Sequence, residues 1–361
     1  MNETVLLKKI SANEPLSDEE AMRLPVLPLS LLMLAADIVR KRKHPDGVVT
    51  YIIDRNINIT NVCFSFCDFC SFCCSRSDKN AYILKQEDYI PKIEELFAAG
   101  GNQVLLQGGM HPDLGLDFYI NLFQYLKQHF EGIYLHALSP SEIFYLSQKE
   151  NLPVVNILQA LQEAGLDSLP GGGAEILVDR VRSIVSPLKA NSQQWLEVMR
   201  HAHILGISTT ATMMFGHIET SEERIVHLLK IRKLQDENKG DGPGFVSFIP
   251  WTFQPGNTRL LQKFPSAYKT TAHEYLKIIA MSRIILHNIS NIQASWLTVG
   301  KHTASVALHS GSNDLGSIML EENVVASTGL KAKLSIEEME SIIIQSGFLP
   351  AQRNQKFEKR I

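Results

Sequence analysis

The chain has 361 residues, 45% of them hydrophobic, 8% aromatic and 20% charged, with a formal net charge of −3. That balance suits a globular chain with a large core and excludes a disordered one. With no like-charge block beyond the KRK at 41–43, neither a nucleic-acid surface nor an acidic tail is expected.

The opening MNETVLLKKI lacks a basic segment followed by a short apolar run, and the most apolar stretch, Leu24 to Val39, is broken by Pro25, Pro28, Ser30 and Asp37. A spanning helix needs roughly 18 or more apolar residues in a row, so no membrane span is expected and a cytoplasmic protein is. Residues 1–48 read as helical. Ser17 with Glu20 forms a capping-box pattern before an Ala/Leu-rich run, and the turn residues HPDG at 44–47 close the segment.

From 49 to 330 strand-like and helical patterns alternate. Strands are predicted at 51–59, 102–108, 133–138, 207–216, 245–251 and 291–296, with weaker candidates in LDSLPGGG (166–173) and SNDLG (312–316). Between them, one helix runs from Gln193 to Leu205 with Trp195, Met199 and Ala202 on one face, and another starts at the capping box of Thr220 and Glu223. Eight strand candidates alternating with helices predict an α/β protein built as a (β/α)8 barrel of the TIM type, with its chemistry at the carboxyl ends of the strands. A doubly wound open sheet is the competing architecture, although no G-x-G-x-x-G follows the first strand. Residues 331–361 finish with an amphipathic helix opened by Ser335 and Glu338, stopped at Gly347 and followed by a polar tail. Helix and tail are expected to help cover the active face.

All five cysteines fall within NVCFSFCDFCSFCC (61–74). An odd number of crowded thiols makes a poor disulfide framework, and a reducing compartment leaves them free for metal or chemistry. Cys63, Cys67 and Cys70 stand at C-x3-C-x2-C directly after the first strand, on a loop at the active face. Three thiolates there can hold three corners of a cubane iron–sulfur cluster and leave one iron open to another ligand. Zinc, inert packing, and a thiol–disulfide pair at Cys70-x-x-Cys73 are the competing readings. Zinc wants two separated pairs or a histidine at ligand spacing, and the nearest histidines, His44 and His111, are not adjacent. Cys73 and Cys74 read as bystanders to the three-cysteine set.

In the barrel, Ser139 after the third strand, Thr212 and His217 on the fifth, Trp251, Gln254 and Asn257 around the sixth, and Gln293 and Ser295 on the seventh project toward one mouth. Together they offer an aromatic face and neutral hydrogen-bonding groups to a small-molecule substrate. Core or supporting roles compete for each of them. Asn313 and Asp314 either finish the wall or turn the chain.

The cysteine loop resembles the signature of radical S-adenosylmethionine (SAM) enzymes. Beyond it, DRNINITNVC (54–63), LLQGGMHPDL (105–114), HALSPSEI (136–143), LDSLPGGGAEIL (166–177), TTATMMFGHIET (209–220), FIPWTFQPGNT (248–258) and NIQASW (291–296) resemble the radical SAM enzymes of the futalosine route to menaquinone. The resemblance implies a [4Fe–4S] cluster on Cys63, Cys67 and Cys70, SAM as second cofactor, and an external one-electron donor such as flavodoxin or ferredoxin. It implies Phe69 near the adenine, the carbonyls of Gly108 and Gly109 on the SAM ammonium, Glu175 on its ribose hydroxyls, and Arg182 or Lys189 on its carboxylate. Where such enzymes commonly read Gly-Gly-Glu this chain reads Gly108-Gly109-Met110, so that carboxylate is missing. WTFQPGNT and SNDLGSIMLEENVV (312–325) are most similar to the branch that acts on dehypoxanthine futalosine. There a 5′-deoxyadenosyl radical removes the ribose C4′ hydrogen, the carbon radical attacks the benzoate ring, and loss of an electron and a proton leaves a spirocycle. The aminodeoxyfutalosine-forming and deazaflavin-forming branches share much of the pattern, and no catalytic acid or base is assigned.

Overall fold

The computed structural model of the chain describes residues 3–238, 242–265, 270–329 and 333–360. The expected boundary at 330–331 lies outside the described residues. The amino-terminal segment is helical as expected. Ser17 and Glu20 complete their capping box before a short helix, Asp18–Ala21, and the helix Leu29–Lys43 turns Leu32, Ala35, Ala36 and Val39 inward against the helix Ala272–Ile285. Because those positions recur at helical spacing, one face is apolar and the other stays charged.

Ten strands follow among the described residues: β1 (Val48–Ile52), β2 (Asp54–Asn58), β3 (Gln103–Gln107), β4 (Tyr134–Ala137), β5 (Ser168–Leu169), β6 (Ser208–Phe215), β7 (Phe245–Thr252), β8 (Asn291–Ile292), β9 (Asp314–Ser317) and β10 (Leu349–Gln352). They form a seven-stranded sheet in chain order from β2 to β8, its neighbours parallel, and a three-stranded sheet ordered β10-β1-β9. The two touch through one isolated parallel bridge, Gln293 to Asp314. The architecture is therefore α/β with a curled parallel half-barrel, where the sequence predicts a barrel of eight strands. The run at 51–59, expected as one strand, breaks at Ile53: β1 turns to β9 and β10 while β2 pairs with β3. At β5 the ladder is short because Pro170 follows with no N–H to donate.

Side chains alternate across a strand, and here the alternation is between polar and apolar. Ile57, Val104, Leu106, Leu135, Ala211, Met213 and Phe248 are buried in the apolar core under the helices. Their neighbours Asn56, Gln103, Gln107, His136, Thr210 and Ser247 line a cavity on the other face. Barrels of this kind usually fill that space with branched apolar side chains. Polar groups set among apolar ones mark it as a chamber for a ligand.

The carboxyl-terminal tail lies elsewhere than expected. β10 runs parallel to β1, from Val48↔Leu349 to Tyr51↔Gln352, and carries Arg353 into the interior, where its guanidinium meets Asp314 at 2.6 and 2.9 Å. Lys359 pairs with Asp46, and Arg360 with Asn102 and the carbonyl of Gly100, all just before strands β1 and β3. The tail thus floors the chamber at the amino ends of the strands, opposite the cysteine loop.

Candidate active site

Beyond β2 the chain leaves the carboxyl end of the sheet and forms the cysteine loop. Its neck is tied by Cys63 N–H to the Cys74 carbonyl (3.2 Å) and Cys74 N–H to the Asn61 carbonyl (2.9 Å). Its crown is held by Asp68, whose N–H donates to the Val185 carbonyl, whose carbonyl accepts from Leu260 N–H, and whose carboxylate takes Lys263 Nζ at 2.6 Å. Phe66 sits at a φ of 43°, a left-handed turn that lets Cys67 point inward. Cys63, Cys67 and Cys70 all line the chamber, which measures about 400 Å³, and Cys73 joins them. Cys74 does not line it; its backbone closes the neck.

Burial pushes the Cys67 thiol up to about 11. A hydrogen bond from Cys73 holds the Cys70 thiol below the ordinary range and raises that of Cys73. Binding of a metal would displace the Cys67 proton, because the cation stabilises the thiolate.

The two glycines after β3 serve a purpose other than ligand approach alone. A Cβ on Gly109 would stand 2.1 Å from the Val62 carbonyl oxygen and 2.8 Å from Cys63 Cβ. Without one, the Gly108–Gly109 backbone lies directly against the cysteine loop, with Gly109 N–H donating to the Thr60 carbonyl at 2.9 Å.

Across the chamber, Gly171 to Gly173 lead into Glu175, which is buried at a φ of 40°. Thr210 and Thr212 hold this turn: Gly171 N–H donates to Thr210 Oγ1 (3.0 Å), and Thr212 Oγ1 donates to the Gly171 carbonyl (2.6 Å). Lys189 Nζ bonds Glu175 Oε1 at 3.0 Å and lies over the Phe69 ring at 5.4 Å from its centroid. Phe69, Glu175 and Lys189, each implied by the same resemblance as a contact of SAM, meet beside the cysteines.

Of the other expected site residues, Ser139, Thr212, Trp251, Gln293 and Ser295 line the chamber with Gly108 and Gly109. Four do not. Arg182 is 3% exposed and is spent on the Ala174 carbonyl at 2.5 Å and the Ala190 carbonyl, with Glu175 Oε2 3.9 Å away, so it braces the Glu175 loop. His217 lies beneath the turn after β6, between the Met214 carbonyl (3.0 Å) and Glu219 Oε2 (3.1 Å), and burial lowers its pKa. Gln254 donates to Thr252 and to the Thr298 carbonyl, knitting β7 to the segment after β8, and Asn257 is exposed. His217, Gln254 and Asn257 all lie past a strand end, where the chain has turned away from the chamber.

Sequence reasoning missed Glu142, Asp54, Asn56, Gln103, Gln107, His136, Arg353 and Gln355, all on the chamber wall. A signal was present for some of those on strands: Asp54, Asn56 and Asn58 share one face of DRNIN, and Gln103 and Gln107 share one face of NQVLLQ, where buried parallel strands usually run apolar throughout.

The chamber fits a polar organic ligand beside a cluster. Asn56 Oδ1, Gln103 Oε1, Ser141 Oγ and Glu175 Oε2 are buried on its wall with no hydrogen-bond partner in the protein, and groups of that kind are rarely left unmatched. Three thiols on a cubane bind three different irons and need not converge on one point. Among the described residues, no three His, Cys, Asp or Glu side chains converge as a single-ion site would require.

Comparison with known proteins agrees with this geometry. The chain belongs to the radical SAM superfamily, whose description matches residues 57–231; a description of the CofH/MqnC C-terminal region matches residues 242–361. It is an enzyme family that works with a [4Fe–4S] cluster and SAM. Within it, the chain is 39% identical over 98% of its length, and 94% of the relative's, to cyclic dehypoxanthine futalosine synthase of Halalkalibacterium halodurans, and 41% identical over 98% and 88% to that of Streptomyces coelicolor. It is also 41% identical, over 93% of this chain and 88% of the relative, to 5-amino-6-(D-ribitylamino)uracil–L-tyrosine 4-hydroxyphenyl transferase 1 of Methanosarcina mazei. The fold resembles methylornithine synthase PylB (TM-score 0.70, 20% identity, 96% of this chain and 97% of that one) and the hydrogenase maturase HydG from Carboxydothermus hydrogenoformans (0.75, 17%, 98% and 81%). Among the described residues no helix is long and apolar enough to cross a membrane.

Proposed function

We propose that the chain cyclises dehypoxanthine futalosine in menaquinone biosynthesis. The observation that carries this reading is its likeness, at about 40% identity over nearly its whole length, to two relatives named for that reaction. When bound, the cluster and SAM together supply a 5′-deoxyadenosyl radical able to take the C4′ hydrogen of the substrate ribose.

The chain's own residues then bind, orient and exclude. Cys63, Cys67 and Cys70 hold the cluster. Glu175, already bonded to Lys189, offers its unpartnered Oε2 to the ribose of SAM. Phe69 packs against the adenine. The neutral groups of Asn56, Gln103, Gln107, Ser139 and Gln293, with the Trp251 ring, orient the substrate without donating hydrogen to a carbon radical. Residues 49–330 act as the catalytic unit, its half-barrel joined to the smaller sheet at the Gln293–Asp314 bridge, with 1–48 as its brace and 331–361 as its floor. A cytoplasmic flavodoxin or ferredoxin supplies the electron.

Incubating the reduced protein with SAM and dehypoxanthine futalosine, without oxygen, should give 5′-deoxyadenosine and a product lighter than the substrate by two hydrogen atoms, read by mass spectrometry. The Methanosarcina relative favours a second reading, transfer of the 4-hydroxyphenyl part of L-tyrosine to 5-amino-6-(D-ribitylamino)uracil. Turnover of L-tyrosine with 5-amino-6-(D-ribitylamino)uracil, and none of dehypoxanthine futalosine, would establish that reading instead.

Glu175→Gln should weaken SAM binding by roughly tenfold and leave substrate affinity nearly unchanged, since one charge-assisted hydrogen bond is lost. Equilibrium dialysis of both ligands checks this, and a larger loss on the substrate side would reassign the residue.

A further inference from the structure

Four Ser/Thr-x-x-Glu sequences, at Ser17, Thr220, Thr271 and Ser335, open helices as complete capping boxes. In each the cap oxygen accepts the amide three residues on, and the Glu carboxylate turns back to the cap's own N–H. Ser139-Pro140-Ser141-Glu142 carries the same pattern and opens the helix Pro140–Glu150, yet only half of the box forms. Ser139 Oγ accepts Glu142 N–H at 3.4 Å, while the Glu142 carboxylate faces the chamber and accepts Gly108 N–H at 3.3 Å. The helix thus forgoes a stabilising contact to keep a carboxylate at the wall.

Among the described residues four carboxylates line the chamber: Asp54, Glu142, Glu175 and Glu322. Asp54 accepts from Gln103 Nε2 at 3.2 Å, near the floor. Glu175 is paired with Lys189. Glu322 is occupied by the N–H groups of Val324, Val325 and Ala326. Glu142 is 5% exposed and, among the described residues, has no basic side chain at ion-pair distance. Burial pushes its pKa up to about 7. The Ser139 hydroxyl and the more distant Lys189 charge offset only part of that cost, and a cationic ligand in contact with the carboxylate would relieve the rest.

Its position says which cation. Gly108, which it contacts, adjoins Gly109, and Gly109 is packed against Val62 and Cys63. Glu142 therefore stands beside the cysteine loop, where the amino-acid end of SAM has to sit if it is to meet the open iron. That end carries a primary ammonium.

We propose that Glu142 receives the primary ammonium group of SAM, reached from the next strand-to-helix turn where Met110 supplies no carboxylate. The inference rests on the cofactors of the superfamily and not on the choice of substrate, so it is tested with no substrate present. Equilibrium dialysis of cluster-loaded protein compares SAM with its deaminated analogue, in which hydrogen replaces the amino group. Glu142→Gln should weaken SAM binding roughly 10- to 100-fold, the range of a charge-assisted pair, and change analogue binding by less than about threefold. Equal losses for both ligands, or no loss for SAM, would overturn the assignment. If Glu142→Gln cannot hold the cluster, Glu142→Asp takes its place with the same two ligands: loss confined to SAM supports the assignment and equal loss defeats it.

Discussion

Alanine at Cys63, Cys67 or Cys70 should abolish 5′-deoxyadenosine formation, whereas Cys74→Ala should leave most of it. The three positions share the chamber wall, while Cys74 contributes backbone bonds that alanine keeps. Anaerobic iron and sulfide analysis of each variant reads the result: the parent chain should carry about four of each, and each of the three variants far less. Cys73→Ala should also retain most of the activity, although its thiol faces the chamber beside Cys70. Its hydrogen bond to Cys70 becomes redundant once iron holds the Cys70 thiolate. Equal loss from all five substitutions would reject the three-cysteine ligand set.

Arg353→Ala should destabilise the fold by roughly 3–5 kcal/mol, because it leaves a buried carboxylate without its cation. Asp314 is fully buried and accepts two bonds from Arg353, one from Thr50 Oγ1 at 2.6 Å and one from Gly316 N–H at 2.8 Å. Domains are commonly stable by only about 5–15 kcal/mol, so a loss of that size is a large fraction of the total. Denaturant unfolding of the cluster-free chain measures it. Replacing Asp314 by Asn in the same chain should recover part of the loss, since the stranded charge is then gone. A shift under about 1 kcal/mol for Arg353→Ala alone would show that water reaches the pair.

Much of the site could be read from local pattern. The cysteine spacing, the double glycine and the Glu175 turn each lie within a few residues, and their placement follows from sitting just after a strand. His217, Gln254 and Asn257 were misplaced for the complementary reason: a few residues past a strand end the chain can turn in or out, and period-two reasoning no longer applies. Glu142 was hidden by a pattern with two uses. Ser-x-x-Glu reads as a capping box, and nothing within those four residues tells that the carboxylate will be drawn to Gly108 instead.

The chain alone determined the order of its elements, the parallel α/β class, the loop with three thiols and the polar residues at Asp54, Asn56, Gln103 and Gln107 within strand patterns. All of these are periodicities and spacings that act over a few residues. Tertiary structure alone decided that 51–59 divides between two sheets, that the tail floors the chamber, and that Gln355 reaches His136, 219 residues away in sequence. Those outcomes depend on which distant segment offers a partner to each exposed strand edge and buried charge, and no local pattern encodes the identity of that partner.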